Sequence, residues 1–511
     1  MTPGISLQAP LLRRSGAHVL PLVFVLCALA GCAGGKAHGS GPVASADWRE
    51  PNQNLSSTRA ASGSSITSSS VRRLKVAWRF RFPGIPGFSG FYSSTPLIVG
   101  NRVLVEDLNS NVYALDRRTG RLLWAKRYHQ MNGGPNGLAV AGSRVFGDTA
   151  TSEFALQLDT GHQIWLRRLT TTDNPISVAP LVANGIVYTS TVAQTAGGRG
   201  ELYALAASSG APMWTFDTIL HPWRFPAEAY GGGMWDAPSL GADGTLYAGN
   251  SNPYPYGGSR RHPDGTAYPG QVLFTDSLLA LAAASGKLEW YDQVTPHDIH
   301  DFDFQDSPVL ASSSNGTQVV VGAGKAGRVI AWNSRTHKRM WQRSVGRHLH
   351  DTGSLPSRPT TVCPGLLGGV ETPMAYTGGE VFVPVVDLCI KESATGSGLA
   401  LVQTDYSKGK GELVALSVDS GAIAWQRKLP SPNFGCATVA NDVVFTVTYD
   451  GKIYAFQTKT GSLLWSEQAP AGVNSCPAVA GGTLIVGAGV LLPDNPASDP
   501  ELVAYRVSPG P

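Results

Sequence analysis

NVYALDRRTGRLLW, Asn111 to Trp124, is the stretch whose reading decides the fold, because its pattern returns along almost the whole chain. An apolar run with a small residue at its centre is followed by a short polar segment ending near Gly, three linker positions and a Trp. This reads as strand, tight turn, strand, with Gly supplying the positive φ of the turn. With Ala114 as index position, the pattern recurs in EFALQLDTGHQIW (Ala155, Trp165), ELYALAASSGAPMW (Ala204, Trp214), LLALAAASGKLEW (Ala280, Trp290) and VIAWNSRTHKRMW (Ala331, Trp341). LVALSVDSGAIAW (Ala415, Trp425) and IYAFQTKTGSLLW (Ala455, Trp465) complete seven copies. An eighth is split: LVAYRV around Ala504 lacks its Trp, and LKVAWRF around Trp78 has a Trp but no preceding half. The two halves complete each other. Most spacings match a four-stranded propeller blade, so the expectation is an all-β, eight-bladed propeller closed by N- and C-terminal strands sharing one blade. The long intervals, Ala204 to Ala280 and Ala331 to Ala415, mark insertions that should carry functional loops.

The repeat tryptophans are expected to pack between blades, burying apolar area and offering their N–H to a neighbour. Repeats of this type resemble the tryptophan-docking motifs of the quinoprotein (pyrroloquinoline quinone) alcohol dehydrogenases. The outer-membrane barrel-assembly lipoprotein has similar repeats and is no enzyme, so the repeat speaks for the fold and not for the chemistry.

A chain of 511 residues, 42% of them apolar, can bury a large core, and sixty Gly with thirty-five Pro suit a turn-dense β protein. The formal net charge of +4 and the lack of a basic run interleaved with aromatics argue against nucleic acid as a partner.

Residues 1–32 combine Arg13 and Arg14 with the apolar run VLPLVFVLCALA and end in Leu29, Ala30, Gly31 and Cys32. This reads as an export signal. LAGC resembles the bacterial lipobox, which implies lipidation of Cys32 and a membrane-anchored protein on the extracytoplasmic side. Residues 33–45, rich in Gly, Ala and Ser, read as a flexible tether, leaving 46–511 as the propeller. Outside the cytoplasm, Cys363, Cys389, Cys436 and Cys476 suggest two disulfides. Connectivity is not determined by sequence, but Cys436 and Cys476 occupy equivalent points of neighbouring blades and are expected to pair, leaving Cys363 and Cys389 for each other.

Several segments resemble quinoprotein dehydrogenases in order. DWREPNQNLSSTR is similar to the arm that lies across the propeller in that family. GGGMWDAPSLGADGTLYAGNSNPYP, residues 231–255, resembles the segment whose Trp stacks under the quinone and whose Asn binds Ca2+, which implies Trp235 and Asn252. TPHDIHDFDFQDSPVL, Thr295 to Leu310, resembles the catalytic strand. There Asp301 would take the substrate proton and ligate the metal, and His300 stands where the family usually has Trp. VVVGAGKAGRVIAW offers Lys325 to the quinone oxygens, and PISVAP offers Ser177 to the cofactor. Independently of resemblance, Asp298, Asp301 and Asp303 crowd together with His297 and His300, which should raise some of the carboxylate pKa values unless a cation sits among them. Strand-like spacing would point Asp301 and Asp303 to one side and Asp298 to the other.

Other positions depart from the family pattern. The adjacent Cys pair is absent, Asn136 stands near an expected Arg, Ser93 stands for a Glu, and the Ca2+-binding Glu is Gln194. Losing a carboxylate should weaken Ca2+. No haem attachment sequence is present, so an enzyme would need a separate electron acceptor. The segment from Cys363 to Cys389 reads as blade strands with no evident chemistry. The resemblance implies a dehydrogenase acting on an alcohol or sugar hydroxyl with pyrroloquinoline quinone and Ca2+. Its rival is a lipid-anchored binding or scaffold propeller with an envelope protein as partner.

Overall fold

The computed structural model describes residues 47–82, 94–193, 198–219, 230–254, 258–267, 272–395, 399–401, 408–489 and 500–508. The proposed signal and tether, Cys32, Ser93 and Gln194 lie outside them.

Eight four-stranded antiparallel blades follow one another, as the repeats demand. Blade 1 comprises Leu97–Val99, Arg102–Glu106, Val112–Asp116 and Leu122–Lys126; blade 8 comprises Ala478–Ala480, Thr483–Ala488 and Glu501–Val507, closed by Leu74–Arg81. No α-helix occurs among the described residues. The index Ala lies directly opposite the Trp in every blade: Ala114 pairs with Trp124, Ala331 with Trp341, and, across the closure, Ala504 with Trp78. A bulge follows the index Ala, which turns the outer strand and lets the large ring lean towards the next blade. There the indole N–H finds a carbonyl: Trp78 Nε1 donates to Arg117 O at 2.9 Å, Trp124 to Leu158 O at 3.0 Å, and Trp341 to Val418 O at 2.7 Å. Where His337 replaces the repeat Gly, Trp290 stacks on its imidazole at 4.8 Å.

The N-terminal arm meets the inner strand of each blade in chain order. Trp48 pairs with Ile98, then Arg49 O accepts from Val140 N, Glu50 Oε2 from Val182 N, Leu55 O from Leu240 N and Ser56 O from Leu310 N. Thr58 O and Arg59 O follow at Tyr376 N and Val439 N, and Ser65 N donates to Gly481 O. Ala60–Ala61 adds a parallel strand to Thr438–Ala440. Both ends of the arm also bond the first turns of their blades, Gly100 and Gly481. The arm therefore lies towards the face carrying those turns, whereas the segments bearing Asn252 and Lys325 leave the opposite ends of the second strands. Both expected disulfides are present, Cys363–Cys389 and Cys436–Cys476.

Candidate active site

Three segments separated in sequence meet at the face opposite the arm. Thr245–Gly249 of blade 4 runs out into Asn250, Ser251 and Asn252; Gln318–Gly322 of blade 5 runs out into Gly324 and Lys325. Residues 295–308 lie between them. Gly324 admits this close passage: a Cβ there would stand 2.0 Å from Asp303 O. The expected strand is an irregular segment instead, since residues 295–308 belong to no strand and Asp301 has φ +66°. The local cause is Asp298. Its carboxylate accepts from His300 N at 2.8 Å and Phe302 N at 2.6 Å, bracketing Asp301 on both sides. Asp298 is thus a turn-forming group. Burial pushes it up to about 6 although the two backbone donors oppose this.

Asp301 and Asp303 converge on Lys325, whose Nζ is 2.8 Å from Asp301 Oδ2 and 2.6 Å from Asp303 Oδ2. The other oxygen of Asp303 accepts from Asn252 N at 2.8 Å. Asn252 Nδ2 donates to Pro253 O, so its amide oxygen is the atom left to offer a ligand. Lys325 is buried, not at the surface. Burial pulls its ammonium down, but Asp301, Asp303 and Glu371 outweigh that and hold it well above its usual range.

Two acids here carry no signature in the sequence. Asp276 is wholly buried with both carboxyl oxygens unpartnered, and burial, then Asp298, Asp303 and Asp301, push it well up. Glu371, inside the segment bracketed by Cys363 and Cys389 whose sequence shows no evident chemistry, accepts from Gln305 Nε2 at 2.9 Å. Burial pushes it up to about 8 against the pull of Lys325. His300 turns away from the aspartates: its Nδ1 is 2.6 Å from Glu392 Oε2. Among the described residues no three His, Cys, Asp or Glu side chains converge as a metal site.

Trp235 is half-buried, packs against the core cluster containing Val178 and Met234, and lines a small cavity of about 20 Å³ with Asn136, Asp236 and Cys476. Its Nε1–H is buried without a partner. Ser177 is fully buried, and its hydroxyl donates to Asn132 Oδ1, so it is already committed. Beside Asn132 and Asn136 lies a second acidic group, Glu106, Asp148 and Glu153, all raised chiefly by burial. The Asn252 amide oxygen and the carboxylate oxygens of Asp301 and Asp303 fit a hard cation, a place that the Lys325 ammonium takes here, and Trp235, its indole N–H unpartnered, borders a cavity of about 20 Å³ that Pro51 and Asn52 of the arm also line. Ser177 does not contribute to that fit.

Residues 48–158 and 141–342, together more than half of the chain, match the model described as the β-propeller domain of glucose, ethanol and alcohol dehydrogenases. The protein belongs to that β-propeller family. Residues 390–510 match the outer membrane protein assembly factor BamB. The chain is similar to a polyvinylalcohol dehydrogenase of Pseudomonas sp (26% identity, 86% of this chain and 73% of the relative). It is also similar to the quinoprotein alcohol dehydrogenase PedH of Pseudomonas putida (26% identity, 81% and 80%). The fold is that of the quinohemoprotein alcohol dehydrogenase ADHIIG from Pseudomonas putida HK5, with TM-score 0.79, 21% identity and coverage of 91% and 82%.

Proposed function

We propose that the protein is a quinone-dependent dehydrogenase that oxidises an alcohol or sugar hydroxyl outside the cytoplasm, exported through residues 1–32 and held by a lipid on Cys32. The observation that carries this reading is the meeting of Asp301, Asp303, Asn252 and Lys325 from three separate segments. Asp301 is the base that removes the hydroxyl proton of the substrate. Lys325 Nζ, 2.8 Å from Asp301 Oδ2, holds that carboxylate in place through a buried ion pair. Asn252, Asp301 and Asp303 would hold Ca2+, with Gln194 as a further ligand, and Trp235 would carry the flat face of the quinone. When bound, pyrroloquinoline quinone takes the two electrons and Ca2+ polarises the reacting oxygen. The alternative, a non-catalytic envelope scaffold, draws on the committed Ser177 hydroxyl and on the BamB match of residues 390–510.

The test is to titrate the purified protein with pyrroloquinoline quinone and Ca2+ by calorimetry and to follow alcohol-dependent dye reduction. Asp301→Asn should lower turnover by about 10²–10⁴-fold, the usual worth of a general base, with cofactor binding retained, whereas Trp235→Ala should weaken binding itself. If the wild-type protein takes up no quinone, the dehydrogenase reading falls and a protein partner at the envelope becomes the object of search.

A further inference from the structure

The insertion of blade 6 folds into a small sheet of its own, in which Ile390–Ala394 lies between Thr360–Val362 and Leu399–Leu401. Glu392 is in its middle strand, paired across to Thr360. The feet of two strands are tied by Cys363–Cys389, with Cα atoms 4.5 Å apart. This sheet is docked on the segment that precedes Asp301. Ala394 and Leu355 pack on Ile299, and the neighbouring 258–267 segment is tied in by Arg260 N, which donates to Thr395 O at 2.6 Å, and by Pro263 O, which accepts from Leu355 N at 2.7 Å. At the centre of the contact, His300 Nδ1 and Glu392 Oε2 are 2.6 Å apart, with side-chain exposures of 4% and 0%.

Asp301 itself has φ +66°, a left-handed conformation that an Asp adopts at a cost and keeps where its surroundings over-determine it. Asp298 grips the backbone on both sides, but its grip fixes N–H groups and not the direction in which His300 leaves the chain. In that direction His300 Nδ1 meets Glu392 Oε2, and the imidazole also packs on the Phe302 ring at 5.0 Å. We infer that Glu392 is a positioning residue, which holds Asp301 in its left-handed turn by clamping the neighbouring His300 to the disulfide-tied sheet. The inference takes from the proposed function only the role of Asp301 as base. Misplacement of a reacting group by about 1 Å can cost a hundredfold in rate, so a residue that never touches substrate can govern turnover.

The experiment compares wild type, Glu392→Leu and Glu392→Gln in the full-length protein, with two readouts. Hydrogen exchange across residues 297–303 reports the turn, and steady-state kinetics separates kcat from KM. Glu392→Leu should speed exchange about tenfold and lower kcat about tenfold or more with KM within about twofold, since the defect lies in orientation and not in substrate binding. Glu392→Gln keeps an acceptor oxygen for His300 and should restore both. Unchanged exchange in Glu392→Leu, a defect carried by KM alone, or a Gln variant as impaired as Leu would overturn the inference. Should Glu392→Leu not fold, His300→Ala, which removes the imidazole Nδ1 that meets Glu392, takes its place in the comparison. If the wild type reduces no dye, the dehydrogenase reading fails separately, and the exchange result alone decides whether Glu392 holds the turn.

Discussion

Glu371 shows how far burial alone can change what a residue means. Its carboxyl is pushed from a reference value of 4.5 up to about 8 by burial, with Lys325 opposing, and Asp236 is pushed up to about 7 by burial with Arg59 opposing. In the unfolded chain both lose their protons near pH 4, so between roughly pH 4.5 and 8 the unfolded state binds fewer protons than the folded one, and stability falls as pH rises. The fall ends once the folded groups have also ionised. Glu371→Gln should therefore flatten the decline of Tm between pH 5 and 8, measured by thermal unfolding in a pH series; a slope identical to wild type would show that Glu371 titrates normally. At this scale the sequence was a partial guide. Asp301 and Lys325 stood out because family motifs surround them, whereas the crowding of the aspartates is answered by the Lys325 ammonium between Asp301 and Asp303, and it is burial that raises Asp298. The contribution of Asp276 was not legible, since it lies outside the motif and is buried with no donor for its oxygens, whereas Asp298, also raised by burial, spends its oxygens on backbone N–H groups.

The repeat unit was the most legible element, because everything that defines it is local: alternation, a turn glycine and a Trp at fixed distance. The register bears this out even in the split copy, where Trp78 and Ala504 pair from opposite ends of the chain. The turn glycines do two jobs, and these can be separated by substitution. Gly461 has φ +63°, and a Cβ would lie 2.6 Å from the Trp425 ring, whereas Gly100 has φ +55° and open space around it. Gly461→Ala should cost about 2–4 kcal/mol, combining backbone strain with overpacking, and Gly100→Ala about 1 kcal/mol from backbone strain alone. Denaturant midpoints compare the two directly; equal losses would mean that the Trp ring moves aside freely. The small sheet around Glu392 was not legible as an element, for its strands are short and its purpose lies in a contact with His300 far away in sequence.

For the whole molecule, closure rests on Arg59 as much as on the shared eighth blade. The wholly buried guanidinium donates to Ala437 O, Pro477 O and Pro51 O at 2.8–2.9 Å and to Thr95 and Thr438 hydroxyls, which joins the arm to blades 1, 7 and 8. It also lies over the Trp48 ring at 5.3 Å. Arg59→Ala strands several buried acceptors at once and should cost about 3 kcal/mol or more, while Arg72→Ala, exposed with one bond to Leu464 O, should stay within about 0.5 kcal/mol. Chemical denaturation of both variants checks this, and similar losses would mean that the arm contributes little to closure. The path of the arm around all eight inner strands has no mark in composition or periodicity.

The sequence by itself determined the number of blades, their closure by two half-copies and the Ala and Trp pairing. Each of these follows from short-range rules repeated many times, so that one reading checks another. Only the tertiary structure decided which carboxylates share Lys325, that Ser177 is committed to Asn132, that Glu371 and Asp276 belong to the site, and that Glu392 reaches His300. The physical reason is that a buried charged or polar group takes its character from whatever neutralises or hydrogen-bonds it. In a propeller those partners arrive on loops from different blades, at separations no local pattern records.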